Sequence, residues 1–591
     1  MNRLNSRLAV LLAGSFLTVS GAQFASHAST NEEITDKDVA SASLSGAYLA
    51  ARIATIDKNT EAAVRYYRRA LSLDPGNPNL MQNAFMTLLA NGNVDEAMTI
   101  AADLTELENG PQIANIALAV DAVRGKELAN ARTYLTYSSR SDLDRLVGGL
   151  MKAWIASDGK TPEKALEIVD ELQGPAWFNL FIEYHGGLLA AKIGQTEEAY
   201  SRLGKAIDRR SGGSAASETH LRAVEMLARI QFAAGATKEA EETVTSGRRV
   251  QSANPALARL DEELRSGKGL THTPMSAQRG TAEIFYTLGT AIDDEGGLQF
   301  AMIYLNLSRA LAMDSDIITL ALADLFDKQK LYRRSNELFS AVSDASPYHR
   351  IAQLELALNL DALDQLDEAS KSLEGLLKDD PDDLIAYLSY GGMMSRHEKY
   401  AEAAAIYERA AARVQTPRRI HWNLYYRRGI AYERTKQWPK AEESFKKALE
   451  LFPDQPSVLN YLGYSWVDMN INLEEGLEMI RKAVNLRPND GYIVDSLGWA
   501  YYRMGRFDDA VRELERAVEL RAADPTINEH LGDAYWRVGR KLEATFQWNH
   551  AIDLKPTETT VEAIQKKLEE GLPPLEESTG AAGEATEEKK I

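Results

Sequence analysis

The sequence predicts an all-α chain in which paired helices stack side by side into a solenoid. Three observations carry that reading: a recurring 34-residue spacing, a second small residue that keeps step twelve positions upstream, and a composition that favours helix. The 591 residues exceed what one hydrophobic core usually spans, so several domains or a repeat array are expected. Apolar residues make up 45%, an ordinary share for folded protein, and only 18 prolines interrupt a chain rich in Ala, Leu and Glu. Those side chains lose little rotamer freedom in a helix.

The spacing is read on a small residue, mostly Ala, in an apolar helical run. It falls at Ala63, Ala97, Ala131, Ala165 and Ala199, each 34 residues after the last. Ala240 follows after 41, the extra residues lying in the loop Arg210-Ser211-Gly212-Gly213-Ser214. A second block runs Ala301, Ser335, Ala369, Ala403 in steps of 34, and a third Ala441, Gly476, Ala510, Ala544 in steps of 35, 34 and 34. Twelve residues earlier stands the small residue of the preceding helix: Ala51, Ala119, Ala153, Gly187, Gly289, Ala357, Gly391, Gly429, Gly498 and Gly532, with Gly463 thirteen before Gly476 and Phe85 the exception. Two small residues at one crossing let helices approach closely.

These residues resemble the tetratricopeptide repeat. Tyr425, Gly429, Tyr432, Ala441, Phe445, Ala448 and Pro453 match its pattern, as do Leu531-Gly532, Tyr535, Ala544, Trp548, Ala551 and Pro556. Asp74-Pro75, Ser346-Pro347 and Asp380-Pro381 stop other units, because a residue before Pro is pushed out of the helical region. The resemblance covers about residues 44–556, strong from 422, good from 301 to 415 and degenerate before 250. It implies a helix–turn–helix solenoid, a right-handed superhelix of about fourteen repeats in two arrays, in which no unit buries its apolar face alone.

The expected organisation follows. Arg3 and Arg7, the apolar run Leu8 to Val19 and the small residues ending at Ala28 read as a secretory signal over 1–28; an uncleaved membrane anchor is the alternative. After a mature segment, 29–43, a degenerate array spans 44–251. Residues 252–280 break the period and carry Pro255, Gly267, Gly269, Pro274 and Gly280, which reads as a short helix plus a linker. A middle array covers 281–417, a C-terminal array 418–556, a capping helix 557–570 and a disordered acidic tail 571–591.

The formal charge of −19 becomes −21 without the signal, since residues 1–28 hold two Arg and no acid. Such a chain repels phosphate backbones, so protein partners are expected and nucleic acid is not. The chain has no Cys, which excludes disulfides, thiolate nucleophiles and Cys-ligated metal. No phosphate-binding loop, nucleophile elbow or HExxH helix occurs, and the nine His are scattered. His185-Gly186-Gly187 has the look of an oxyanion loop, but Gly187 lies on the repeat grid and reads as helix. No cofactor, metal or catalytic residue is expected.

In the family the resemblance points to, the first helix of each pair lines a concave face. In the last repeats its exposed positions read Tyr426, Arg434, Asn460, Tyr464, Tyr492, Asp495, Trp499, Tyr502, Arg503, Glu529, Trp536 and Arg537. Aromatics and Arg supply interface anchors through large area, few rotatable bonds and a fork of donors. Tyr432, Trp466, Tyr501 and Tyr535 sit one face round and read as repeat core. The residues after the helix glycines, Ile430, Tyr464, Trp499 and Asp533, lack the Asn of the chaperone-tail clamp found in some members. The expectation is a periplasmic, non-catalytic scaffold that binds peptide or helical segments of other envelope proteins. The alternatives are an accessory subunit of an envelope biogenesis, secretion or polysaccharide-export complex, and a cell-wall enzyme on a helical solenoid.

Overall fold

The computed structural model describes residues 35–107, 110–136, 141–208, 217–267, 270, 274–292 and 297–573. The signal expected over 1–28 and the tail from 574 onward lie outside the described residues. Among the described residues there are 31 α-helices and no strand, and no helix long and apolar enough to cross a membrane.

The chain forms two compact units, Asn31–Asp379 and Asp380–Ile591. In the first, α1 (Asp36–Ser41) precedes six helix pairs: α2 (Leu44–Ile56) and α3 (Thr60–Leu73), α4 (Pro78–Asn91) and α5 (Val94–Thr105), α6 (Gln112–Arg124) and α7 (Leu128–Tyr134), α8 (Asp142–Ser157) and α9 (Lys164–Asp170), α10 (Phe178–Lys192) and α11 (Thr196–Asp208), α12 (Ser217–Ala233) and α13 (Thr237–Val250). After the unpaired α14 (Pro255–Arg265) come α15 (Ala277–Ala291) and α16 (Leu298–Leu311), α17 (Asp316–Lys328) and α18 (Tyr332–Ser340), α19 (His349–Ala362) and α20 (Leu366–Asp379). The second unit holds α21 (Leu384–Arg396) and α22 (Tyr400–Arg413), α23 (Trp422–Arg434) and α24 (Trp438–Leu451), α25 (Pro456–Asp468) and α26 (Leu473–Leu486), α27 (Gly491–Arg503) and α28 (Phe507–Leu520), α29 (Pro525–Arg537) and α30 (Lys541–Asp553), then α31 (Glu558–Glu570).

The periodic small residues sit where the two helices of a pair cross. A Cβ on Gly391 would lie 2.4 Å from the Tyr407 ring, on Gly429 2.5 Å from Phe445, and on Gly532 2.4 Å from Trp548. A large ring on the second helix therefore fills the space a side chain on the first would need. The turn inside each pair carries a second periodic feature. One residue is left-handed in pair after pair: Lys58, Gly92, Lys126, Gly194 and Gly235, then Lys330, Asp364, Glu398, Lys436, Asn470, Gly505 and Gly539. Most are not glycine, so this position is set by the tight turn rather than by residue type.

Residues 252–280, read from sequence as a short helix plus linker, contain α14 and the start of α15, both inside the first unit. There α15 and α16 turn back mainly onto the first helices of the earlier pairs: α15 packs on α6, α8, α10 and α12, and α16 on α4 and α6 and against the second helix α5. The groove face of the N-terminal pairs is thus occupied by the chain itself. Gly280 lies so close that a Cβ would be 2.0 Å from the Trp154 indole. The Tyr184 hydroxyl donates to Glu283 Oε1 at 2.7 Å, and Arg222 donates to both Glu283 oxygens at 2.9 and 3.1 Å. The Tyr286 hydroxyl donates to Glu218 at 2.8 Å, and Asn306 Nδ2 donates to the Ala90 carbonyl at 2.9 Å. Burial opposes ionisation of Glu283, yet the Arg222 guanidinium holds its carboxyl below the usual range.

His185 belongs to this interface and lies within α10. Its Nδ1 accepts from Trp154 Nε1 at 3.2 Å, and its Nε2 is 3.4 Å from Thr287 Oγ1. Burial lowers its pKa to about 4, so it is a neutral core histidine near pH 7.

Candidate functional site

In the second unit the first helices α21, α23, α25, α27 and α29 make their contacts with helices of their own and adjoining repeats. The twelve candidates read from sequence lie on α23, α25, α27 and α29, and the structure sorts them by depth. Tyr426 is 4% exposed, packed among Trp422, Phe445 and Tyr461 with ring centroids 6.0 to 6.1 Å away. Asn460 is 7% exposed and donates to Ser496 Oγ at 3.1 Å, and Asp495 is 7% exposed against His530. These three lie beneath the surface because each neighbouring repeat places a side chain over them. They support the face rather than form it.

Above them the remaining candidates pair along the face. Trp499 stacks on Tyr502 at 4.8 Å and on His530 at 4.1 Å, while its Nε1 has no hydrogen-bond partner. Arg503 is exposed and donates to the Asp468 carbonyl at 3.0 Å and to its carboxylate at 3.3 Å. Arg537 donates through Nε to the Tyr502 hydroxyl at 3.2 Å and through Nη1 to the Pro573 carbonyl at 2.7 Å. Arg434 lies 3.7 Å from Glu433 and 5.9 Å from the Tyr400 ring centre. Tyr464 and Tyr492 are half-buried, Arg521 standing 4.9 Å over the latter, and burial pushes the Tyr464 phenol up. Trp536 leans on Trp548 at 5.3 Å with Lys541 4.9 Å above it. Tyr432, Trp466, Tyr501 and Tyr535, read as core, are 1 to 7% exposed.

Sequence reasoning missed the groups that neutralise the acidic end of this face. Lys567 of α31 reaches Glu529 at 2.7 Å and Asp533 at 2.8 Å, so the terminal helix closes the last repeat with an ion pair as well as with the fully buried Ile564. His530 Nδ1 lies 2.9 Å from Asp495 Oδ1. Burial disfavours its imidazolium, but Asp495, with Glu529 and Asp533 beyond, raises its pKa above the ordinary value. The available signal was positional: His530 falls 35 residues after Asp495, one repeat on along the same face.

The repeat family models agree with this architecture. Tetratricopeptide repeat family models match residues 54–118, 354–417 and 422–455, and a TPR repeat model matches 498–539. A TPR repeat-containing protein of Pseudomonas aeruginosa is 29% identical over 194 residues, 33% of this chain and 32% of that protein, so the match spans about a third of the relative's length. Among solved structures, the chain is similar to the Cut9–Hcn1 hetero-tetramer of APC/C (14% identity, 91% of this chain and 98% of that chain, TM-score 0.36). It is also similar to YrrB, a TPR protein with an unusual peptide-binding site (20% identity, 33% and 99%, TM-score 0.27). With fourteen helix pairs built on one spacing and repeat models matching in both compact units, the chain belongs to the tetratricopeptide-repeat superfamily.

Proposed function

We propose that this chain is a non-catalytic scaffold of a bacterial cell envelope that binds peptide or helical segments of partner proteins along the first-helix face of its second unit. The observation that carries the reading is the difference between the two units. The corresponding face of the first unit is filled by α15 and α16, which leaves the face bearing Trp499, Tyr502, Arg503, Trp536 and Arg537 to meet a partner. Stacked aromatics beside arginines give area and directional donors at low conformational cost. The export reading rests on Arg3, Arg7, the apolar run from Leu8 to Val19 and the small residues before Ser29. In the envelope the chain serves as an accessory subunit that holds components of an assembly together.

The test is affinity capture of the tagged protein from an envelope fraction, beside a variant with Trp499, Tyr502, Arg503 and Arg537 replaced by Ala. Partners should disappear in the variant while its helical circular dichroism and first-unit melting persist. Unchanged partners would remove binding from this face. N-terminal sequencing of the fractionated protein should start at Ser29, and a start at residue 1 in the cytosol would overturn the export reading.

A further inference from the structure

α31 ends at Glu570, and the next three residues turn onto the first-helix face of the second unit. Gly571 has φ 75° and ψ −177°, a region open essentially to glycine alone. A Cβ there would lie 2.2 Å from Trp536 Cζ2, so glycine is what lets the chain lie flat on the indole of α29. Leu572 is half-buried against the apolar core of the last repeats. The Pro573 carbonyl accepts from Arg537 Nη1 at 2.7 Å, and the same guanidinium donates through Nε to the Tyr502 hydroxyl of α27 at 3.2 Å. Within three residues the chain passes from α31, over Trp536 of α29, towards α27. Composition reads everything from 571 onward as tail, yet these three residues are fixed to the face.

The sequence keeps that heading. Leu572 and Pro573 each precede a proline, which holds both out of the helical region. An extended chain advances about 3.3 Å per residue. α29 packs directly on α27, and α27 on α25, and packed helix axes stand roughly 8–10 Å apart. Three or four extended residues therefore cover one repeat. Glu576 and Glu577 stand three and four residues past Pro573, and Arg503 stands one repeat before Arg537.

Charge favours the same path. Residues 574–588 carry five Glu and no Lys or Arg. The acids of the face are already met, Glu529 and Asp533 by Lys567 and Asp495 by His530. Among the described residues Arg537 has no carboxylate partner: its donors go to a phenol and a carbonyl. Arg503 is held by the exposed Asp468 carboxylate at 3.3 Å, a pair that a second carboxylate can share at little cost. We propose that Pro574 to Glu577 continue along this face to Arg503, so that the chain's own acidic segment is the resident occupant of the last two repeats and a partner must displace it. The consequence for partners rests on the function proposed above, whereas the placement rests on the path from Gly571 to Pro573. A competing partner needs what this segment has: an extended backbone with carboxylates beyond an apolar residue.

The test is crosslinking in the intact chain. The protein has no Cys, so Ser578→Cys gives one attachment point for a benzophenone maleimide. After irradiation, digestion and mass spectrometry, most crosslinks should fall on α25 and α27 of the same molecule, with a mixture of ¹⁵N-labelled and unlabelled protein separating them from crosslinks between copies. Glu576→Lys with Glu577→Lys, which alters no contact among the described residues, should cut that yield about five-fold, the worth of an exposed ion pair. Arg503→Ala should lower it by a similar factor. Crosslinks between copies, confined to α31, spread over the second helices or absent would overturn the placement, as would an unchanged yield in the lysine variant. The outcome separates from the partner reading: crosslinks on α27 in a protein that captures no partner would remove the scaffold function and leave the placement, and partners captured without those crosslinks would remove the placement alone.

Discussion

The two units present the same kind of face and complete it in different ways. In the first, α15 and α16 cover the first helices with a buried network that joins positions 61 to 216 residues apart, from Arg222–Glu283 to Asn306–Ala90. In the second, neighbouring repeats pair along the face over short intervals, as in Arg503–Asp468 and Arg537–Tyr502, each 35 residues apart. A repeat scaffold therefore has two options for the same surface. It can spend the groove on its own stability or keep it for a partner, and the polar groups follow that choice: pairs between segments far apart in sequence in the first unit, pairs between neighbouring repeats in the second.

That contrast is easiest to break at Glu283. Glu283→Ala takes from Arg222, whose side chain is only 12% exposed, its two-bonded partner and leaves it Glu225 alone, and it strips the buried Tyr184 hydroxyl of its acceptor. The expected cost is about 3–5 kcal/mol in denaturant unfolding of the first unit. Arg503→Ala, which removes a pair with side chains 31% and 53% exposed, should cost less than about 1 kcal/mol. Similar losses at the two sites would mean that α15 and α16 do not hold the first unit together.

Acid should separate the units by sign. His185 is neutral in the fold, its pKa held near 4 against an unfolded value of 6.5. Its contribution is complete above pH 6.5 and is lost as pH falls towards 4, a loss of about 3 kcal/mol for the first unit. His530 runs the other way. Burial opposes its charge, but Asp495, with Glu529 and Asp533 near, raises its folded pKa, so its contribution is complete below 6.5 and is lost as pH rises through the folded value. Differential melting from pH 4 to 8 should show the first unit gaining and the second declining at its upper end. Asp495→Asn should abolish that decline.

Close helix approach gives a graded test of the same difference. Gly280→Ala forces a Cβ to 2.0 Å from the Trp154 indole within the filled groove, and Gly429→Ala to 2.5 Å from Phe445 in an ordinary pair. Each should cost about 1–3 kcal/mol, with Gly280 the more severe. Gly375 in α20 has nothing within 4 Å, so Gly375→Ala should stabilise by about 0.5–1 kcal/mol.

The sequence disclosed whatever repeats. Gly429 and Ala441 mark one helix crossing, and the same spacing recovers Gly532 and Ala544. It did not disclose the filled groove, because α15 and α16 obey the same grid through Gly289 and Ala301 and differ only in what they touch. Contacts such as Tyr184–Glu283, 99 residues apart, leave no periodic trace. Depth within the candidate face was equally hidden: Tyr426 and Tyr464 occupy similar helix faces, yet Tyr426 is enclosed by Trp422 and Tyr461 while Tyr464 is half-buried.

The smallest expected effect concerns the turn inside each pair, where both units agree. The left-handed residue is Gly at positions 92, 194, 235, 505 and 539 but Lys at 58, 126, 330 and 436. An L side chain there costs roughly 1–2 kcal/mol, and glycine returns about 0.5–1 kcal/mol of that through its larger unfolded-state entropy. Lys436→Gly, at φ 61°, should therefore stabilise the second unit by about 0.5 kcal/mol. Lys126→Gly, at φ 62°, should do the same in the first. Equal gains in both units would show that the turn is a property of the repeat alone. A gain confined to one would mean that the way a unit completes its groove face also reaches its turns.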